Sequence, residues 1–289
     1  MPVFGAHMSV AGGLTNAVSA ASALGCGTLQ IFTKNPNTWV GKMITDENAT
    51  AFRRAVADAR LAFTTSHDSY LINLAAANDT LYRKSVVAFA DELDRAEQLG
   101  LDFLVTHPGA HVGGGETAGL TRLVRGLNEV LSTRKGYRAR VLLETTAGQG
   151  TYLGGRFEHF RAILGGVNEP ERYGVCLNTC HVFAAGYDLR TTENYEVTFN
   201  EFDRVVGLEW LKLFHVNDSA AEYCSRVDRH AGLGQGEIGL EAFQRLVTDP
   251  RFADHPMILE TPKEDAAGNP MDSVNLAILH GFASDCPVR

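Results

Sequence analysis

The chain has 289 residues, 45% hydrophobic and 21% charged, with 29 Gly and 9 Pro. These globular values exclude a disordered, collagenous or coiled-coil protein, and the length suits one large barrel or two ordinary domains. A formal charge of -8 excludes a globally basic nucleic-acid binder, so any DNA contact must use a local patch; the acidity also fits a site crowded with carboxylates that hold cations.

From the N-terminus, no basic segment precedes an apolar run, so no signal peptide is expected. No apolar stretch approaches the ~18 residues of a membrane span. Short β-rich runs then recur at 3–7, 28–32, 62–67, 103–107, 141–144, 174–178, 211–215 and 257–260. They read as parallel strands covered on both faces. Between them fall helical periods. Leu14, Val18, Ala21 and Leu24 share one face, as do Val86, Phe89, Leu93 and Ala96, then Tyr195, Phe199, Phe202 and Val206. Leu240, Phe243 and Val247 mark another helix, and Val274, Ala277 and Ile278 the last. Gly25, Gly100 and Gly207 sit where helices should stop.

Eight such units predict an α/β fold, a closed (β/α)8 TIM barrel forming a single domain over 1–289. An open doubly wound sheet usually carries a glycine-rich dinucleotide loop after its first strand, and His7-Met8-Ser9-Val10-Ala11-Gly12-Gly13 does not match one. The five cysteines, Cys26, Cys176, Cys180, Cys224 and Cys286, are odd in number and scattered, which fits a reduced, intracellular protein. Cys176 and Cys180 are expected as buried structural thiols rather than zinc ligands.

The strand ends carry the chemistry. His67 ends the third run, His107 the fourth, Glu144 the fifth, His215 the seventh and Glu260 the eighth; Asn178 and His181 follow the sixth. In a barrel all strand C-termini open on one face, so these residues meet in space. Asp228 and His230, two apart in the loop after the seventh run, face the same way if extended. Imidazole with carboxylate is the donor set that zinc, manganese or iron prefers. The set exceeds what one tetrahedral ion can use, so two or three ions are expected, with Glu144 able to bridge. Clustered cations suit phosphoryl hydrolysis. Any one of these histidines taken alone is more often a hydrogen-bonded structural residue. Burying so many titratable groups together without a cation would cost several kcal/mol each. His7 and His111 are expected to be supporting or structural residues, and His159, His255 and His280 to lie at the surface.

At these residues the sequence resembles the endonuclease IV family of apurinic/apyrimidinic endonucleases. The likeness runs from Gly5-Ala6-His7 to Leu259-Glu260-Thr261, through Phe32-Thr33-Lys34-Asn35, the segment from His67-Asp68-Ser69 to Asn73-Leu74, and His107-Pro108-Gly109. It continues through Glu144-Thr145-Thr146-Ala147-Gly148-Gln149-Gly150, the segment from Thr179-Cys180-His181 to Tyr187-Asp188, and Ser225-Arg226-Val227-Asp228-Arg229-His230. The resemblance implies a xylose isomerase-like barrel with up to three zinc ions, manganese being a substitute. By carry-over, His67, His107 and Glu144 would hold the first ion. Glu144, His215 and Glu260 would hold the second, and His181, Asp228 and His230 the third. The implied reaction, in base excision repair, hydrolyses the phosphodiester 5′ to an abasic site in duplex DNA and leaves a 3′-hydroxyl. Blocked 3′ ends would also be trimmed. Glu260 would hold or deprotonate the zinc-activated water, and Glu144 would share in catalysis as the bridge. The implied partner is duplex DNA with abasic sites, bound by a monomer in the cytoplasm, on the nucleoid if the source is bacterial.

Two departures matter. The family has Asp where this chain has Asn178, normally a ligand of the second zinc. An amide is a poorer ligand, so weaker occupancy of that site and reduced activity are expected. Asn37 stands where many relatives place an arginine that enters the lesion, so insertion from that loop should be weaker. The expected wedge, Tyr70-Leu71, is present; its other reading is core packing. Lys34, Arg226 and Arg229 would supply cations to DNA phosphates, and Asn35 and Gln149 neutral donors, while Gly148 and Gly150 would admit close approach. Two other functions remain open: a binder of damaged DNA that has lost catalysis through Asn178, and a metal-dependent sugar isomerase or epimerase, for which the Asp228–His230 pair would be surplus.

Overall fold

Eight parallel strands pair in a closed ring in the computed structural model, which describes residues 1–284. Cys286 lies outside the described residues. The ring runs through β1 (Val3–Met8), β2 (Thr28–Phe32), β3 (Thr65–His67), β4 (Phe103–Thr106), β5 (Arg140–Glu144), β6 (Tyr173–Asn178) and β7 (Leu211–His215). An antiparallel ribbon of two short strands, β8 (Asp218–Ser219) and β9 (His230–Ala231), intervenes. The last barrel strand, β10 (Pro256–Leu259), closes against β1.

Helices cover the outside: α1 (Leu14–Ala23), α2 (Asp46–Asp58), α3 (Asp79–Leu99), α4 (Glu116–Ser132), α5 (Phe157–Leu164), α6 (Thr179–Ala185), α7 (Thr192–Val205), α8 (Leu240–Thr248) and α9 (Asp272–Ser284). The expected periods fall on α1, α3, α7, α8 and α9, but on α9 the face is misplaced: Val274 and Ala277 are exposed while Asn275, Leu276 and Leu279 are buried, and on α8 Leu240 is exposed. Helices α2, α4, α5 and α6 were not among the expected periods. Helix α6 is short and follows its strand without a loop, because Asn178, the last residue of β6, also caps it. Gly100 caps α3 in the left-handed region at φ 71°. The third strand begins at Thr65 rather than residue 62.

Two apolar layers hold the barrel. Helix faces pack on the outward residues of the strands, with Phe52, Phe89, Leu127, Phe160, Phe199 and Phe243 fully covered. Inside the ring, Phe103, Val105, Leu142, Cys176, Leu213 and Ile258 form a separate plug. That plug fixes the site. Side chains alternate along a strand, so a residue two beyond an inward-pointing one also points inward. His107 lies two beyond Val105, Glu144 two beyond Leu142, Asn178 two beyond Cys176, His215 two beyond Leu213 and Glu260 two beyond Ile258. On β1 the inward place at Gly5 stays a glycine because a Cβ there would lie 2.0 Å from the Thr28 carbonyl oxygen of β2.

Candidate metal centre

Glu144 is the hub, buried where β5 opens onto the C-terminal face. Its Oε2 lies 3.0 Å from His67 Nε2 and 3.2 Å from His107 Nε2. Its Oε1 lies 2.9 Å from His215 Nδ1, which is 3.1 Å from Glu260 Oε2. Beside this group, His181 Nε2 stands 3.1 Å from Asp228 Oδ2 and 3.4 Å from His230 Nε2, and His230 Nε2 is 3.3 Å from Asp228 Oδ1. The ribbon of β8 and β9 carries Asp228 and His230 back over α6 to reach His181. Cys180 Sγ is also within reach of Asp228 and His230. Burial raises its pKa, so it stays a thiol and the imidazole of His181 is the better ligand.

The outward ring nitrogens decide what the inward ones can do. His67 Nδ1 donates to the Asp68 carbonyl at 2.9 Å, His181 Nδ1 to that of Thr145 at 2.7 Å, and His230 Nδ1 to that of Glu260 at 3.1 Å. A carbonyl oxygen only accepts, so in the neutral, ligating form of each ring the proton sits on the outer nitrogen and the inner lone pair is available to a cation. Carbonyl or carboxylate partners of this kind are the usual backing of metal-bound histidines. His107 Nε2 is a buried nitrogen with no hydrogen-bond partner. Free lone pairs and converging carboxylates fit divalent cations on His67, His107 and Glu144 and on His181, Asp228 and His230; by donor type Glu144, His215 and Glu260 form a third group, with His215 Nε2 donating to Gln30 Oε1 at 2.8 Å and Nδ1 turned inward.

Charge among the side chains of the site follows the same logic. Burial alone would lower the pKa of His67, but hydrogen bonding and attraction to Glu144 outweigh it and carry it up to about 10. Burial would raise Asp228, yet contact with His181 and His230 brings it to about 2. Asp68 has no such surplus of cations, and burial pushes it up to about 7. His7 falls to about 3, chiefly through burial.

Asn178 is the exception. Its Oδ1 accepts from the backbone N–H of Cys180 at 3.1 Å and of His181 at 3.4 Å, as the cap of α6. Its Nδ2 donates to Glu144 Oε1 at 2.9 Å and to Glu260 Oε2 at 3.4 Å. The amide therefore turns its nitrogen, which cannot ligate, to the cluster.

Gln30, Asn217 and Asp68 escaped the sequence reading. Gln30 joins His215, His7 and Glu260; Asn217 Oδ1 accepts from Glu260 N at 2.8 Å; and Asp68 accepts from the Thr106 hydroxyl at 2.6 Å. A glutamine in the otherwise apolar run Leu29-Gln30-Ile31-Phe32 was the available signal for the first.

A cleft of about 320 Å³ opens over the cluster between Tyr70, Glu260 and Lys263, and one of about 550 Å³ adjoins it along Trp39, Leu71, Tyr152 and Arg229. Tyr70 is 62% exposed, so it is not a core residue, while Leu71 is half-buried. Asn35, Asn37, Gln149, Arg226 and Arg229 are exposed on loops of the strand C-termini. Lys34 is not available there: its ammonium is buried 2.8 Å from Asp91 and 3.2 Å from Glu92 on α3. His159, expected at the surface, is buried, and its Nδ1 accepts from Gly154 N at 2.8 Å. His255 is half-buried against the Leu211 carbonyl, while His280 is exposed.

The Xylose isomerase-like TIM barrel family model matches residues 18–278. A protein of Chloroflexus aurantiacus named "Probable endonuclease 4" is 53% identical over 98% of this chain and 98% of its own. One of Geotalea daltonii with the same name is 47% identical over 95% of this chain and 96% of its own. The crystal structure of endonuclease IV from Thermus thermophilus has a TM-score of 0.87 at 36% identity, covering 99% of this chain and 100% of that one. A D-tagatose 3-epimerase-like protein, at 17% identity and a TM-score of 0.72, shares the barrel.

Proposed function

The chain belongs to the endonuclease IV family, DNA-cleaving phosphodiester hydrolases, and from that premise we propose that it is a cation-dependent enzyme cutting duplex DNA on the 5′ side of abasic sites, leaving a 3′-hydroxyl. The observation that carries this reading is the convergence of the inward nitrogens of His67, His107, His181 and His230 on the carboxylates of Glu144 and Asp228. Bound zinc, or manganese in its place, would make hydroxide available near neutral pH and offset charge on the phosphate oxygens. Glu144 Oε2, 3.0 Å from His67 Nε2 and 3.2 Å from His107 Nε2, would complete with them the donor set for one cation. Glu260, whose side chain is 16% exposed towards the cleft, holds the attacking water and takes its proton. Tyr70 and Leu71 fill the space of the missing base. Asn35, Asn37, Gln149, Arg226 and Arg229 contact the backbone, and lesion choice rests on DNA shape.

The same site would trim blocked 3′ ends, acting as a monomer in the cytoplasm. No helix among the described residues is long and apolar enough to cross a membrane. A second reading, an impaired enzyme that binds abasic DNA, is favoured by the amide nitrogen that Asn178 turns to the cluster.

The test is nicking of an abasic duplex by chelated protein, with and without added zinc. Cleavage 5′ to the lesion that chelation abolishes and zinc restores supports the first reading. Tight, salt-dependent binding without cleavage supports the second. Neither cleavage nor binding overturns both.

A further inference from the structure

Four atoms surround one point between β5, β6, β7 and β10. Glu144 Oε1 and His215 Nδ1 are 2.9 Å apart, and His215 Nδ1 and Glu260 Oε2 are 3.1 Å apart. Asn178 Nδ2 completes the figure, 2.9 Å from Glu144 Oε1 and 3.4 Å from Glu260 Oε2. These edges are close to the roughly 3.3 Å between ligands of a tetrahedral zinc with bonds of about 2.0 Å. The fourth vertex is a donor nitrogen, whose lone pair is delocalised into the amide and which presents hydrogens to the space a cation would fill.

The amide cannot simply turn round. Asn178 Oδ1 accepts from Cys180 N, from His181 N and, at 3.4 Å, from Asn217 Nδ2. A flip would set the Asn178 NH₂ against three donors inside a fully buried pocket, leaving them unsatisfied. Gln30 makes the same kind of contact from the other side. Its Nε2 donates to Glu260 Oε1 at 2.7 Å, and its Oε1 accepts from His215 Nε2 at 2.8 Å. The negative charge that a cation would offset already has amide donors on both flanks.

Resting on the reading that the outer groups hold cations, we propose that the middle group of Glu144, His215 and Glu260 holds none: Gln30 and Asn178 bracket it with hydrogen bonds, and the cluster is dinuclear. Glu260 is then a hydrogen-bonded carboxylate rather than a ligand, oriented by Gln30 as a positioning residue. An aspartate at 178 would differ in one respect that matters: one oxygen could cap α6 while the other, an acceptor, faced the point.

Zinc per chain tests this without DNA, so its failure is separable from failure of the nuclease reading. Protein stripped by chelation is reloaded with excess zinc, desalted and analysed for metal. The unaltered chain should hold two zinc ions and Asn178→Asp three, with both proteins folded by circular dichroism. Crystals of the unaltered chain should give no zinc anomalous peak between Glu144, His215 and Glu260, a measurement that stands even if the variant fails to fold. Equal zinc counts in two folded proteins, or an anomalous peak at that point in the unaltered chain, overturns the proposal.

Discussion

Glu260 is held from three directions: Gln30 Nε2 donates to Oε1 at 2.7 Å, Asn178 Nδ2 to Oε2 at 3.4 Å, and the backbone N–H to Asn217 Oδ1 at 2.8 Å. A carboxylate so fixed, with part of its surface open to the cleft, can take a proton without first reorganising. Glu260→Gln keeps the shape and removes the base. We expect kcat on abasic duplex to fall by on the order of 10²–10⁴-fold, a general-base contribution, with zinc content and DNA affinity unchanged. Steady-state kinetics beside metal analysis checks this; loss of zinc together with kcat would show that Glu260 is a ligand. Lys34 makes the complementary point about placement. It sits within a sequence that suggests a DNA-facing loop, yet its ammonium is enclosed by Asp91 and Glu92, so its charge ties that loop to α3.

The loops after β2 and β3 act as a pair. The Ser69 hydroxyl donates to the Pro36 carbonyl at 2.6 Å, and Asn35 Oδ1 accepts from Asn37 N at 2.9 Å. Thr33 accepts from Arg95 of α3 at 3.0 Å, which anchors the base of the first loop. On this footing Tyr70 projects beyond His67, edge-on to Phe32 with ring centroids 5.4 Å apart. An exposed aromatic held by its inner edge loses little entropy when it stacks on a base. Tyr70→Ala should weaken binding to abasic duplex by roughly ten- to a hundredfold, from about 1–3 kcal/mol of stacking, and change undamaged-duplex binding little. Titration of both duplexes at one salt concentration measures it, and equal losses on the two would remove Tyr70 from lesion recognition.

For the molecule as a whole, the cluster couples protons, cations and stability. In the cation-free protein His67 is raised from 6.5 to about 10 by Glu144 despite burial. A raised histidine contributes stability that is complete below pH 6.5 and is lost as pH rises through about 10. A ligated imidazole must be deprotonated, so cations compete with those protons and bind more strongly as pH rises. The Tm gap between zinc-loaded and cation-free protein should therefore widen from pH 6.5 towards 10 and narrow below 6.5. Paired melting curves across that range test it; a gap independent of pH would mean that His67 does not exchange a proton for a cation.

The sequence by itself determined the barrel, because short buried strands alternating with amphipathic helices leave few other closed arrangements. It also marked out His67, His107, Glu144, His215 and Glu260 as neighbours, because each ends a strand at one rim and the two-residue period turns it inward. Helix α5 is only 8 residues long, whereas α4 buries a regular face of Leu123, Leu127, Val130 and Leu131 that was legible in the sequence and was missed. What only the tertiary structure decided is direction. Residue type does not say that Lys34 turns back to α3, that His159 is enclosed, or that Asn178 presents nitrogen rather than oxygen to the cluster. That last orientation depends on the donors of α6 and Asn217 meeting Oδ1 while Glu144 and Glu260 meet Nδ2, contacts between residues up to 82 positions apart.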